Sequence, residues 1–321
     1  MTDLIKIENC ASKWLVDFNP LKTNFINISL KRNKSKLCIK FKGENVLQVT
    51  EHKHLGMIFS DDMKWQKHIS YVTAKASQRI GQMYRSSIHL NKKQLCDVYL
   101  KMIRPIIEYG SVLYDNCSFA DSIKLEKLQR RAALICTGAM RRTETVQILG
   151  ILEWQTLEAR RKEQKFILFF KIFNNLTPLY LRESMQCKVN AVILRNIKPV
   201  TIIPLKSRLN CYGSSFFPVM IKEWNNLSCE ITDMADLKCF KTALSKHTNP
   251  NYNKSTDCPM FHFCTGFYGR ILTQMKLGLS KLNHHLFLYN ITDNPFCPSC
   301  LDSVEDVEHY FLKCSTYEDA R

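Results

Sequence analysis

The chain has 321 residues and carries 46 Lys plus Arg against 29 Asp plus Glu, a net charge of +17 at pH 7. With 45% hydrophobic residues and only 10 Gly and 10 Pro, it falls outside the collagen-like, mucin-like and intrinsically disordered classes, and it is long enough to bury a full core. The charge favours a polyanionic partner, nucleic acid before an acidic membrane surface; the plainer alternative is a basic soluble protein without one. The last 21 residues are net acidic, which leaves +21 on residues 1–300, so the basic character belongs to the body of the chain.

Leu4, Ile7, Ala11, Trp14 and Leu15 recur at helical spacing and predict a helix over residues 3–16, ended by Pro20. Residues 25–30 read as a strand and 31–36 as a basic turn. Residues 37–41 and 46–49 flank Lys42-Gly43-Glu44-Asn45 as a hairpin, followed by one short strand at 54–59. After Asp61-Asp62 the period changes. Trp65, Ile69, Val72, Ala76, Ile80 and Met83 predict a long helix. Leu95, Tyr99, Met102, Ile103 and Ile106 predict a second. Leu125, Leu128, Ala132 and Ile135 mark a third, stopped by Gly138, and residues 154–173 a fourth, with Arg and Lys on one side and Phe on the other. Shorter helices are expected at 217–226 and 235–246, and the polar stretch 249–259 reads as a linker. The expected class is α+β, mainly α-helical.

Fourteen cysteines raise the question of disulfides. The chain opens without a charged lead and long apolar run, and its longest apolar run, residues 166–170, is too short to span a bilayer. The expectation is an intracellular, unsecreted protein with reduced thiols and no membrane partner. Cys96 and Cys136 fall on apolar helix faces and read as small core residues. Cys297, Cys300, His309 and Cys314 differ: their spacing is C-x2-C-x8-H-x4-C. Two cysteines on a tight turn aim their sulfurs at one point, and a histidine and cysteine five apart can close a tetrahedron. Three thiolates and an imidazole suit a closed structural zinc site, with no open position for catalysis. The competing reading is a chance Cys-x-x-Cys near a chance His.

Phe59-Ser60-Asp61-Asp62 fits the aromatic-x-Asp-Asp box that holds two metal ions in template-directed polymerases. The helical sequence after Asp62 argues against it, and a simpler role is for Asp61 or Asp62 to cap the long helix. Lys124, Lys127, Arg130, Arg131, Arg141, Arg142, Arg160, Arg161, Lys162 and Lys165 crowd about 40 residues. Positions 124, 127 and 131 share a helical face, as do 161 and 165, so they can meet successive phosphates; a solvated helix face is the plainer reading. Phe166, Phe169, Phe170 and Phe173 recur at helical spacing and read as core rather than base-stacking platforms.

Several segments combine in order: 17–23 (DFNPLKT), 52–57 (HKHLGM), 64–69 (KWQKHI), 104–110 (RPIIEYG), 125–132 (LEKLQRRA), 215–218 (SFFP) and 224–227 (WNNL), then Cys-Pro-x-Cys and Glu-His-x4-Cys. This series resembles the reverse transcriptase of non-LTR (LINE, jockey-like) retrotransposons, beyond its catalytic Tyr-x-Asp-Asp box, over nearly the whole chain. The resemblance implies a palm remnant at 1–62, a helical thumb and connection region at 63–248, and a C-terminal region with a zinc-knuckle-like motif at 249–321. It implies that Lys22 lies near a nucleotide's phosphates, where the plainer reading is a solvated charge. It implies that Gly56 lets backbone approach nucleic acid. The partners it implies are RNA and DNA, as an RNA–DNA duplex or structured element RNA, together with a missing N-terminal polymerase part. The cofactor is structural zinc, with Mg only if a missing catalytic palm completes the chain. No catalytic residue is assigned. The alternatives are an RNA-directed DNA polymerase active only when joined to that missing part, and a zinc-stabilised protein-interaction module.

Overall fold

A computed structural model describes residues 2–16, 18–19, 22–29, 31, 37–189, 200–248, 271, 274–275, 277 and 280–320. The chain is mainly helical with small sheets. It divides into two units, residues 1–72 with 117–122 and residues 73–116 with 123–321. The expected linker at 249–259 and most of the basic turn at 31–36 lie outside the described residues.

The first unit opens with α1 (Thr2–Lys13). The helix stops short of residue 16 because Leu15 turns left-handed, at φ 53°, and Val16 N–H donates back to Ala11 O at 2.9 Å. That is a Schellman-type stop made without glycine. Trp14 and Leu15 therefore leave the apolar face and are exposed, while Ala11 is buried. β1 (Asn24–Phe25), β2 (Ile39–Phe41) and β3 (Glu44–Gln48) form a sheet in the order β1-β3-β2, with β1 parallel and β2 antiparallel to β3. Of the expected strand at 25–30, only Phe25 pairs as a strand among the described residues, together with Asn24, which lies just before that range in β1. The single strand expected at 54–59 is a second hairpin, β4 (Glu51–His54) against β5 (Met57–Ser60).

Both hairpins use one device. Lys42 and Gly43 have φ 50° and 79°, and Leu55 and Gly56 have φ 46° and 83°. Two positive φ values in a two-residue loop match the right-handed twist of the strands, and glycine takes the second position without steric cost. Gly56 thus has a conformational role of its own. Asp62 corrects the capping expectation. Its Oδ1 accepts from Ser60 Oγ at 2.6 Å and from Lys64 N at 3.0 Å, closing a turn ahead of the helix. The long helix α2 (Gln66–Ser86) begins later, with Ile69 N–H donating to Trp65 O.

The second unit takes up α2 and continues with α3 (Lys92–Val98), whose N-terminus is closed by a reciprocal Asn91–Gln94 capping box. The expected second helix does not run on unbroken to Ile106. Pro105 has no N–H to give to Lys101, and Tyr99–Ile103 widens into a π-type turn with Arg104 N–H reaching Tyr99 O, before α4 (Arg104–Glu108). α5 (Ser111–Tyr114) and α6 (Phe119–Thr137) follow, α6 starting in the first unit. Gly138, at φ 68°, stops α6 as expected. The sequence period gave no sign of α7 (Thr145–Leu152), a short helix that packs Ile148 and Leu149 on Ala133. Next come α8 (Leu157–Phe173), capped by Thr156, then α9 (Leu179–Glu183), the hairpin β6 (Cys187–Val189) and β7 (Val200–Ile202), and α10 (Asn210–Gly213). After them run α11 (Phe216–Asn226), α12 (Cys229–Thr232), α13 (Leu237–Thr248) and α14 (Asn283–Leu288).

The core of this unit is aromatic. Phe169 lies 5.2 Å from Trp224 and Phe170 stacks on Phe240 at 4.3 Å, joining α8, α11 and α13. The phenylalanines of α8 are core, as their spacing indicated. Asn225, beside Trp224, pairs with both backbone groups of Ile202, accepting from its N–H at 3.1 Å and donating to its carbonyl at 2.8 Å. Elsewhere Tyr99 stacks on Trp154 at 4.4 Å, and its hydroxyl reaches Gln129, which donates on to Gln155 O. Burial pushes the Tyr99 phenol far up, so it stays protonated. Among the described residues no helix is long and apolar enough to cross a membrane.

Candidate metal centre and basic groove

The C-terminal cluster is assembled by two short turns. A bridge between Phe296 and Val304 and a bond from Cys297 N–H to Ser303 O fold residues 297–303 back on themselves. Leu301 sits left-handed at φ 61° and donates to Cys297 O, completing the first turn. In the second, Asp306 Oδ1 accepts from His309 N at 2.6 Å, and Cys314 N–H reaches His309 O at 2.7 Å. This five-residue closure brings His309 and Cys314 to one side.

The ligand-capable atoms of Cys297, Cys300, His309 and Cys314 all lie within 4.8 Å of one another. Cys297 Sγ is 3.9 Å from Cys314 Sγ, and Cys300 Sγ is 3.3 Å from His309 Nε2. A tetrahedral ion with metal–sulfur bonds of about 2.3 Å needs sulfur–sulfur edges of about 3.8 Å, so the donor set fits one metal ion. Cys297 and Cys314 are fully buried, as is most of His309. Burial pushes the Cys297 thiol up, but N–H groups from Cys300 and Ser299 and the His309 ring outweigh it and bring it to about 7. At Cys300 the Asp302 N–H pulls downward, yet burial and the neighbouring thiols of Cys297 and Cys314 leave it above its ordinary value. Crowded thiols that resist a second ionisation are what a dication at their centre relieves. Buried Glu305 anchors the cluster, accepting from Asn283 N at the start of α14 at 2.7 Å, while Asn283 donates to Phe296 O. Among the described residues this is the one His, Cys, Asp or Glu group placed to hold a metal ion. Asp61 and Asp62 are not part of such a group. The twelve described cysteines are free thiols, with Cys136 buried and Cys96 half-buried.

The basic residues divide. Lys127, Arg130, Arg131 and Arg141 line one groove of about 720 Å³ with Tyr84, Ser87, Leu134, Ile135, Gly138 and Ala139. Lys127 and Arg131 are one turn apart on α6 and exposed, as is Arg141. Among the described residues no carboxylate pairs with these three. Arg130 is a clamp rather than an open charge. Its Nη2 donates to the carbonyls of Arg141 and Thr143 and its Nε to Thr145 Oγ1, which fixes the α6–α7 loop and presents Arg141. Arg142 lines a neighbouring cavity of about 290 Å³ with His285 and Tyr289. Lys124 is exposed on α6, ahead of Lys127.

Arg161 and Lys165 are not on this surface, which corrects their expected role. Arg161 is buried, with Nε donating to Asp115 Oδ1 at 3.1 Å, and Lys165 pairs with the other oxygen of that carboxylate. Arg160 likewise forks onto Glu108, which Arg104 also approaches. The shared helical face of 161 and 165 points inward because these carboxylates are there to meet it. In the first unit Lys22 is exposed on a turn, with its N–H donating to Asn19 O, and Gly56 is exposed at its hairpin tip. No protein-family model, curated protein or solved structure matches the chain.

Proposed function

We propose that this chain is a nucleic-acid-binding protein of the kind its motif series resembles, the C-terminal part of a non-LTR retrotransposon reverse transcriptase. The observation that carries the reading is the groove in which Lys127, Arg131 and Arg141 stand exposed without carboxylate partners among the described residues. Three cations along one groove meet phosphates and give binding that is salt-dependent and weakly sequence-specific. The chain's own groups do no polymerase chemistry in this reading, because Asp62 is committed to Ser60 and Lys64. Titration with RNA and an RNA–DNA duplex at several salt concentrations tests it. Three phosphate contacts predict a slope of log K against log salt of about −2.7 on duplex, and Lys127→Gln reduces its size by about one unit. No binding, or binding indifferent to salt, sinks the reading.

The metal is zinc in this reading, since three thiolates and an imidazole in a closed, mostly buried set suit it and leave no open position. When bound it supplies coordination bonds that hold the 297–303 and 309–314 turns together. Cys297, Cys300, His309 and Cys314 are the residues that hold it, and Glu305 and Asp306 fix the backbone that carries them.

A further inference from the structure

The groove has two characters. Its cations, Lys127, Arg131 and Arg141, are joined by half-buried Leu134, Ile135 and Ala139, and by Tyr84 on the last turn of α2. Tyr84 is 63% exposed, a large aromatic ring in a wall otherwise built for charge. It does not hang on a loose end. Its backbone carbonyl accepts from both the N–H and the hydroxyl of buried Ser87, at 3.2 and 2.7 Å, which tightens the helix terminus that carries it. The Arg130 clamp likewise holds the segment bearing Arg141. A paired duplex offers such a groove only phosphates and sugars, because its base faces are stacked inside. The apolar floor and the ring would then stay wet and unused. An unpaired strand offers both partners, a phosphate chain for the cations and a base face for the ring.

We infer that this groove takes an unpaired stretch of nucleic acid, with phosphates against Lys127, Arg131 and Arg141 and one base stacked on Tyr84. This rests on the nucleic-acid reading above and names the form of partner the site prefers. The groove volume of about 720 Å³ is that of a site holding a group of small-molecule size, in keeping with a nucleotide or two rather than a broad duplex face. Stacking on a ring is tolerant of base identity, so preference goes to unpaired over paired strands and not to a sequence.

The test is fluorescence anisotropy with the full chain, using a labelled pyrimidine-rich RNA strand of about 12 nucleotides and the same strand annealed to its DNA complement. The variants are Tyr84→Ala, Tyr84→Phe and the double change Lys127→Gln with Arg131→Gln, each checked for native circular dichroism. Tyr84→Ala is expected to weaken single-strand binding about tenfold and leave duplex binding unchanged, and Tyr84→Phe, which keeps the ring, to retain affinity. Tighter binding of the duplex than of the single strand by the parent chain overturns the inference. So does Tyr84→Ala altering both ligands equally or neither; if the double variant still weakens both, the nucleic-acid reading survives that loss. If the double variant changes nothing, the broader reading falls as well.

Discussion

Arg161 on α8 gives its Nε–H to Asp115 at 3.1 Å from a side chain only 4% exposed, and Lys165, one turn on, shares the same carboxylate. One anion thus holds two cations that the sequence pattern assigns to a solvent face. Replacing Asp115 with Asn leaves both positive charges with a neutral amide. Removal of one partner from a buried ion group costs on the order of 3 kcal/mol, so Asp115→Asn is expected to lower the urea midpoint clearly. If the two residues served phosphates instead, the same substitution would spare stability and tighten nucleic-acid binding, an outcome that would reverse the assignment.

His68 sets a pH limit on the first unit. The ring is buried, and its Nδ1 accepts from Ile58 N at 3.3 Å, tying the start of α2 to β5. Burial holds its pKa below the usual 6.5. A histidine depressed in the folded state binds a proton more readily when unfolded. Its contribution to stability is therefore complete above about 6.5 and is lost as pH falls through the lower folded value. Melting followed from pH 7.5 to 5 should show a loss of stability across the acid part of this range, reduced in His68→Asn. Equal pH dependence in parent and variant would remove His68 as its source.

Much of the helical framework is legible in the sequence because its information is local. Ile69, Val72, Ala76, Ile80 and Met83 repeat every three or four residues and are all buried. Gly138 marks its helix stop, and Lys42-Gly43 its hairpin. The metal cluster is legible for the same reason, three cysteines and a histidine within 18 residues. What is not legible depends on partners distant in sequence. Arg160 meets Glu108 across 52 residues and Arg161 meets Asp115 across 46, so no spacing rule on α8 shows that its charged face turns inward. Tyr84 is hidden from a search for basic clusters because it belongs to α2, while the cations it accompanies belong to α6 and the loop beyond. The break after Val98 has a visible cause in Pro105, but a periodic run of apolar residues across it masks the defect.

Asn225 gives the Trp-Asn-Asn-Leu segment a structural meaning. It satisfies both the N–H and the carbonyl of Ile202, whose side chain is almost wholly buried. Asn225→Ala strands those two backbone groups where water has poor access. Each buried group left unpaired costs about 1–3 kcal/mol, so the substitution is expected to destabilise the second unit by on the order of 2 kcal/mol. Hydrogen exchange at Ile202 should quicken in the variant beyond what the global loss of stability explains. Unchanged exchange there would mean that Asn225 does not hold β7.

The metal cluster makes the last prediction. Within residues 297–314 the buried residues are Cys297, Glu305, His309 and Cys314, so coordination bonds to an ion held by this set would be the main source of order there. One zinc per chain is expected after purification without chelator. Its removal should lower the melting temperature of this segment, and zinc should restore it. The rings of Tyr310 and Tyr317 lie 4.9 Å apart, tilted at 49°, and the Tyr317 hydroxyl lies 2.7 Å from Ser299 Oγ, so their near-ultraviolet circular dichroism reports whether the two turns are joined. Cys314→Ser should lose both the metal and that signal, while the signal from the Trp224 core persists. The zinc assignment fails if the purified chain holds no metal and chelator leaves the tyrosine signal intact. It equally fails if Cys314→Ser binds zinc as tightly as the parent, because a four-ligand site that loses a thiolate cannot keep its affinity.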